Sequence, residues 1–178
     1  MSVYGGKELA TAFRTVRRNT IQIAEDIPED KYGFVPAPDV KSVERQFAHI
    51  GTVTGLWPEL LKDGVTTLVG FDFMTLRGRL QAEEEKPRTK AELLGYLKNE
   101  GEKFAVWLES LSDEFLSVGV IDGDGQTVKT RFERVLGAKE HEMHHRGQLM
   151  LIERQLGITP HLTRQMEERI KQMSAAKA

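Results

Sequence analysis

Four long stretches of the chain repeat apolar residues at three- and four-residue steps, the pattern of helices that bury one face. In the first, about Gly6 to Ile27, the inward line runs through Leu9, Phe13, Val16, Thr20, Ile23 and Ile27. The proline-rich stretch PEDKYGFVPAPDV then breaks it. A second helix is expected after Ser42, a natural N-cap. It carries Val43, Gln46, His49, Val53, Leu56, Trp57 and Leu60 near one face, with Pro58 as a point of kinking. A third begins at the capping box TKAE, Thr89 to Glu92, and continues through Leu93, Leu97, Phe104, Trp107, Leu108 and Leu111. The fourth starts at a second capping box, TRFE, Thr130 to Glu133, and ends at Gly157 with Pro160 beyond it.

The connections carry weaker signals. VGVIDGDGQTVKT has two Asp-Gly pairs between β-prone runs and predicts a short hairpin before the last core helix. Residues 64 to 86 read as a loop with a short helix, and QAEEEK within it as an exposed acidic run. Leu162, Met166 and Ile170 mark a final amphipathic segment. The expectation is an all-α single domain over residues 1–178, a helix bundle with its core at about 6–157 and a C-terminal helical extension at 158–178.

Composition narrows the function. The 178 residues are 39% hydrophobic and 29% charged, with net charge -2, so a general nucleic-acid binder is not indicated. Arg14, Arg17 and Arg18 read as a solvated basic face. No apolar run approaches the roughly 18 residues of a membrane span, and no signal-peptide core opens the sequence. There is no cysteine, which suits a reducing cytoplasm and rules out a protein thiolate as metal ligand.

The chemistry concentrates in AKEHEMHHRGQL, residues 138 to 149. His141 and His145 lie four apart, one above the other on a helix, on the same side as Gln148, Ile152 and Leu156. His49 shares its face with Val53, Leu56 and Leu60, so three imidazoles aim at one core. Such a trio can hold zinc, nickel, copper or iron and leave a position for water or substrate. Gln46, His144 and Gln148 are candidates to orient the imidazoles, and Trp57 to line a pocket. A hydrogen-bonded core histidine is the simpler reading of any one of them, but burying three without a partner is costly. His161 reads as a solvent-facing helix start with no role.

His141, Glu142 and His145 also match the H-E-x-x-H pattern of zinc proteases, with Glu142 as general base. The context does not fit. The extended form of that motif needs Gly at 148 and His at 151, where this chain has Gln148 and Leu151. Nor is there a substantial sheet to hold an extended peptide. Glu142 is then a flank residue about 100° from the ligand line, still able to reach a metal-bound water.

SVERQFAHI around His49, HEMHHRGQL around His141 and His145, and the opening ELATAFRTVRRNTIQIAEDIPEDKYGFVPAP resemble the DinB-like family, the DinB/YfiT superfamily. The resemblance spans roughly residues 6 to 157. It implies an up-down-down-up four-helix bundle, commonly a homodimer, with a metal triad at His49, His141 and His145. The metal it implies is most often zinc or nickel. It also implies an activity: characterised relatives include transferases and isomerases that use low-molecular-weight thiols. The leading expectation is therefore a metal-dependent transferase joining a small thiol to an electrophile. A metal-dependent hydrolase is the alternative, as is a non-enzymatic stress or binding protein with a structural metal. A second stripe, Phe132, Leu136, Met143, Gly147 and Met150, is either covered within the chain or serves as a homodimer surface.

Overall fold

The computed structural model describes residues 4–176. Its helices are α1 (Gly6–Asp26), α2 (Val43–Val53), α3 (Leu56–Leu60), α4 (Phe73–Glu84), α5 (Lys90–Glu109), α6 (Asp113–Ser117), α7 (Arg131–Gln155) and α8 (His161–Ala175), with strands β1 (Gly119–Ile121) and β2 (Val128–Thr130) before α7. The capping residues read from the sequence set the starts. Ser42 Oγ accepts from Arg45 N at 3.4 Å. In the two capping boxes Thr89 N donates to Glu92 and Thr130 N to Glu133, each at 2.7 Å, and the threonine hydroxyls accept in return. Each such cap is worth about 1 kcal/mol, so these starts are strongly specified.

The bundle is up-down-down-up: α5 lies along α1 and α2, and α7 closes against the same two helices. Pro58 does not kink a continuous second helix. The helix stops at Thr54 and Gly55 and restarts as α3, with Pro58 in the first turn, where a missing N–H leaves no bond unmade. The hairpin forms as expected, with Val120 opposite Lys129, and β1 also bonds to residues 66 and 68 of the preceding loop. Gly125, at φ 73°, supplies the left-handed turn residue. Residues 64 to 86 are more helical than expected: α4 is 12 residues long, capped by Asp72 Oδ1 on Thr75 N at 2.9 Å.

Two apolar clusters fill the bundle. One gathers Phe13, Leu61, Phe104 and Val135; the other Ile23, Phe47, Leu97 and Leu149. Between them on α1 sit Arg17 and Thr20, both buried. Arg17 therefore does not belong to a solvated face. Its Nε and Nη2 donate to the two carboxylate oxygens of Glu142 at 2.9 and 3.0 Å, Nη1 to Leu97 O at 2.7 Å and Nη2 to Ile50 O at 3.2 Å. One side chain thus ties together all four bundle helices. Gly101 makes room for it: a Cβ there would lie 2.7 Å from Arg17 Cγ.

The second stripe of α7 is mostly covered within the chain. Phe132 and Leu136 pack on the first cluster and Met150 on the second, leaving Met143 and Gly147 exposed. The extension, α8, follows Gly157 (φ 78°) and Pro160. His161 is not solvent-facing as expected but 3% exposed, with Nε2 3.4 Å from Asn19 Oδ1. As the first residue of α8 it turns back onto α1. No helix among the described residues is long and apolar enough to cross a membrane.

Candidate metal centre

α2 and α7 lie side by side and bring His49, His141 and His145 together. His49 Nε2 is 3.1 Å from His141 Nε2, and His141 Nε2 is 3.2 Å from His145 Nε2. The three rings are part-buried, and one ligand atom from each can lie within 4.8 Å of the others.

The opposite ring nitrogens are already engaged. His49 Nδ1 is 2.5 Å from Glu84 Oε1, and His145 Nδ1 is 2.9 Å from Gln148 Oε1. A carboxylate and an amide oxygen only accept, so each Nδ1 carries the proton and leaves Nε2 as a lone pair. Two lone pairs therefore converge on His141 Nε2, which has one proton at most. A shared cation resolves that excess of acceptors. The spacing agrees: zinc–nitrogen bonds of about 2.0–2.1 Å in a tetrahedron place nitrogens roughly 3.3 Å apart. These residues fit a divalent transition metal held by three Nε2 atoms.

The surroundings of His141 and His145 favour their unprotonated forms. Burial, then the neighbouring imidazoles His145 and His49, push the His141 pKa down to about 4. Burial also lowers that of His145. Burial works to raise the Glu84 pKa, but hydrogen bonds from His49 and Lys41 outweigh it, and the carboxyl sits below its ordinary value.

Glu84 was missed in the sequence, where QAEEEK reads as an exposed acidic run. It is buried, 6% exposed, at the end of α4, and bonds both His49 and Lys41 Nζ (2.9 Å). The other candidates divide. Gln148 bridges, its Oε1 to His145 and its Nε2 3.1 Å from His144 Nε2, which places the exposed His144 one step from the triad. Gln46 is buried, but its amide reaches Lys41 O at 3.5 Å, not a histidine. Trp57 stands beside His141, ring centroids 6.3 Å apart, and its indole N–H donates to Arg134 O at 2.8 Å. Leu56 rather than Trp57 lines the cavity in front of His49.

Glu142 is not a flank residue. It is 2% exposed, accepts from Arg17 twice, and takes a third bond from Thr20 Oγ1 at 2.7 Å. Both oxygens are committed inside the bundle, so the general-base role of the protease pattern has no free group to perform it.

A helix bundle with three histidines from its second and last core helices is the class that fold and site define. The chain belongs to the DinB superfamily, whose family model matches residues 12–149. It is 29% identical over 154 residues to the uncharacterized protein YjoA of Bacillus subtilis (strain 168), covering 85% of this chain and 91% of that one. The crystal structure of YjoA, a DinB-like protein, superposes with a TM-score of 0.64 at 26% identity, over 85% of this chain and 93% of that chain. Two further structures share the fold. YfiT from Bacillus subtilis, described as a probable metal-dependent hydrolase with an unusual four-helix bundle topology, gives a TM-score of 0.66 at 13% identity, over 89% and 91% of the two chains. A mycothiol-dependent maleylpyruvate isomerase gives 0.64 at 11%, over 82% of this chain and 61% of that chain.

Proposed function

We propose that the chain holds one divalent metal ion, zinc or nickel, on His49, His141 and His145, and acts as a metal-dependent transferase on a low-molecular-weight thiol. The observation that carries this reading is the convergence of three Nε2 atoms at 3.1 and 3.2 Å, with Glu84 and Gln148 holding the outer nitrogens of two rings. Bound there, a divalent ion supplies Lewis acidity that lowers the pKa of a thiol or a water. The protein has no cysteine, so the sulfur must come from a cosubstrate. The thiol gives up its proton, sulfur forms a bond to an electrophilic carbon, and the leaving group departs with the bonding electrons. The fold shared with a mycothiol-dependent enzyme supports a thiol.

The test is consumption of a model electrophile by metal-loaded protein with and without a small thiol. Thiol-dependent turnover that disappears in His49→Ala and His145→Ala supports the transferase. Turnover of an ester or amide without thiol points instead to a metal-dependent hydrolase, the class in which YfiT is described as a probable member. A metal whose removal unfolds the protein, with neither turnover, points to a structural role. We also propose a homodimer. Met143 and Leu151 on α7 and Met166, Ile170 and Met173 on α8 are exposed apolar side chains, and in this reading a second copy covers them.

A further inference from the structure

In front of His49 lies a cavity of about 590 Å³ between α2 and α4. Its apolar lining comes from Val53 and Leu56 on one side and Phe73, Met74 and Leu80 on the other. Phe73 and Met74 are 42% and 73% exposed although they open a helix that could have turned them inward. Around this surface stand Lys41, Arg45 and Arg77, against one lining carboxylate, Glu84. Glu84 already serves His49 and Lys41, and Arg45 reaches Glu85 at 3.3 Å. Arg77 has no hydrogen bond or ion pair among the described residues. A protein of net charge -2 thus presents a locally positive mouth, and such a mouth concentrates anions.

The spacing sets a length. Arg77 and Glu84 are seven residues apart on one helix, two turns, so roughly 10 Å along its axis. Glu84 marks the histidine end of the cavity through its bond to His49. We propose that the cavity takes an elongated anionic amphiphile. Its head meets His49, the triad member that lines the cavity, a chain of roughly eight carbons covers the apolar lining, and a terminal carboxylate or similar anion pairs with Arg77. The head group rests on the metal reading above; the chain and the anion do not.

Isothermal titration of the metal-loaded protein with 8-mercaptooctanoate, 8-mercaptooctanol and 3-mercaptopropionate separates the parts. The acid is expected to bind five- to tenfold tighter than the alcohol of equal length. Arg77→Met, its fold checked by circular dichroism, removes that preference and leaves alcohol binding unchanged. The short acid cannot span the distance, so its affinity changes less than twofold in the variant. Equal affinity of long acid and alcohol, or a preference that persists in R77M, overturns the proposal, as does equal Arg77 dependence of the short acid. Failure of the metal reading shows separately, as protein that takes up no metal. The same comparison with octanoate and octanol on metal-free protein then still decides the chain and the anion, with the same expected and overturning outcomes.

Discussion

Replacing Glu142 separates a proton-transfer role from a structural one. In Glu142→Ala the Arg17 guanidinium keeps only Leu97 O and Ile50 O as acceptors. It remains 4% exposed, held among α1, α2, α5 and α7 with no counter-charge. Breaking a buried pair in this way costs about 3–5 kcal/mol. For a domain of this size each kcal/mol lowers Tm by about 2–4 °C, so the melting temperature should fall by about 6–20 °C. Glu142→Gln keeps the shape and the Thr20 contact but loses the charge, and should fall between the wild type and Glu142→Ala. The double variant Arg17→Met/Glu142→Leu removes both charges and should recover most of the loss, since a well-packed apolar pair replaces a buried ion pair at little net change. Thermal unfolding of metal-free protein followed by circular dichroism reads all four. Metal uptake by the folded variants should match the wild type. The reasoning is refuted if Glu142→Gln melts within 2 °C of the wild type, or if it keeps its stability and loses turnover as a general base would.

Three further outcomes follow from other parts of the structure. Glu84→Gln should weaken metal affinity about 10- to 100-fold, as loss of a partner that orients a metal-bound histidine does, with the fold intact by circular dichroism; unchanged affinity would show that Glu84 does not set the His49 tautomer. Glu153 is fully buried with neither carboxylate oxygen hydrogen-bonded, and burial, then Asp26, raise its pKa from the ordinary 4.5 to about 7. An acid that binds its proton more tightly when folded makes the native state lose stability as pH rises from about 4.5 to 7, with no recovery above. Glu153→Gln should remove that slope and be more stable than the wild type at pH 8 by about 3 kcal/mol, measured by urea unfolding at pH 5 and pH 8; parallel pH dependence in the two proteins would contradict it. Ile170→Glu should shift the sedimenting species from dimer to monomer without unfolding the chain, and a wild-type monomer would remove the second-copy reading of the exposed α8 stripe.

The histidines were legible because their signal is local and periodic. A four-residue interval on an apolar face places His141 and His145 together, and the stripe through Val53 and Leu56 turns His49 the same way. Glu84 was not legible for the converse reason. Its helix buries only Leu76 and Glu84, while Phe73 and Met74 face the cavity, so no one-sided stripe marks it. Nothing in EEE tells which carboxylate turns inward; in the fold Glu83 pairs with Lys86 and Arg88, Glu85 with Arg45, and Glu84 with His49. Arg17 stands four residues after Phe13 on the inward face, yet its partner is 125 residues away. A charge on an apolar stripe points to burial only when a distant opposite charge can be placed beside it, and that placement is a tertiary fact. The same holds for His161, the first residue of α8, whose neighbour Asn19 on α1 is 142 residues away.

The central claim is a metal held by three nitrogens from two helices. Metal content of the purified protein by mass spectrometry, after loading with zinc or nickel and removal of the excess, tests it most directly. One ion per chain in the wild type, and none retained in His49→Ala, His141→Ala or His145→Ala chains that remain folded, is the predicted result. A folded wild type that retains no ion, or triad variants that keep theirs, would contradict the account.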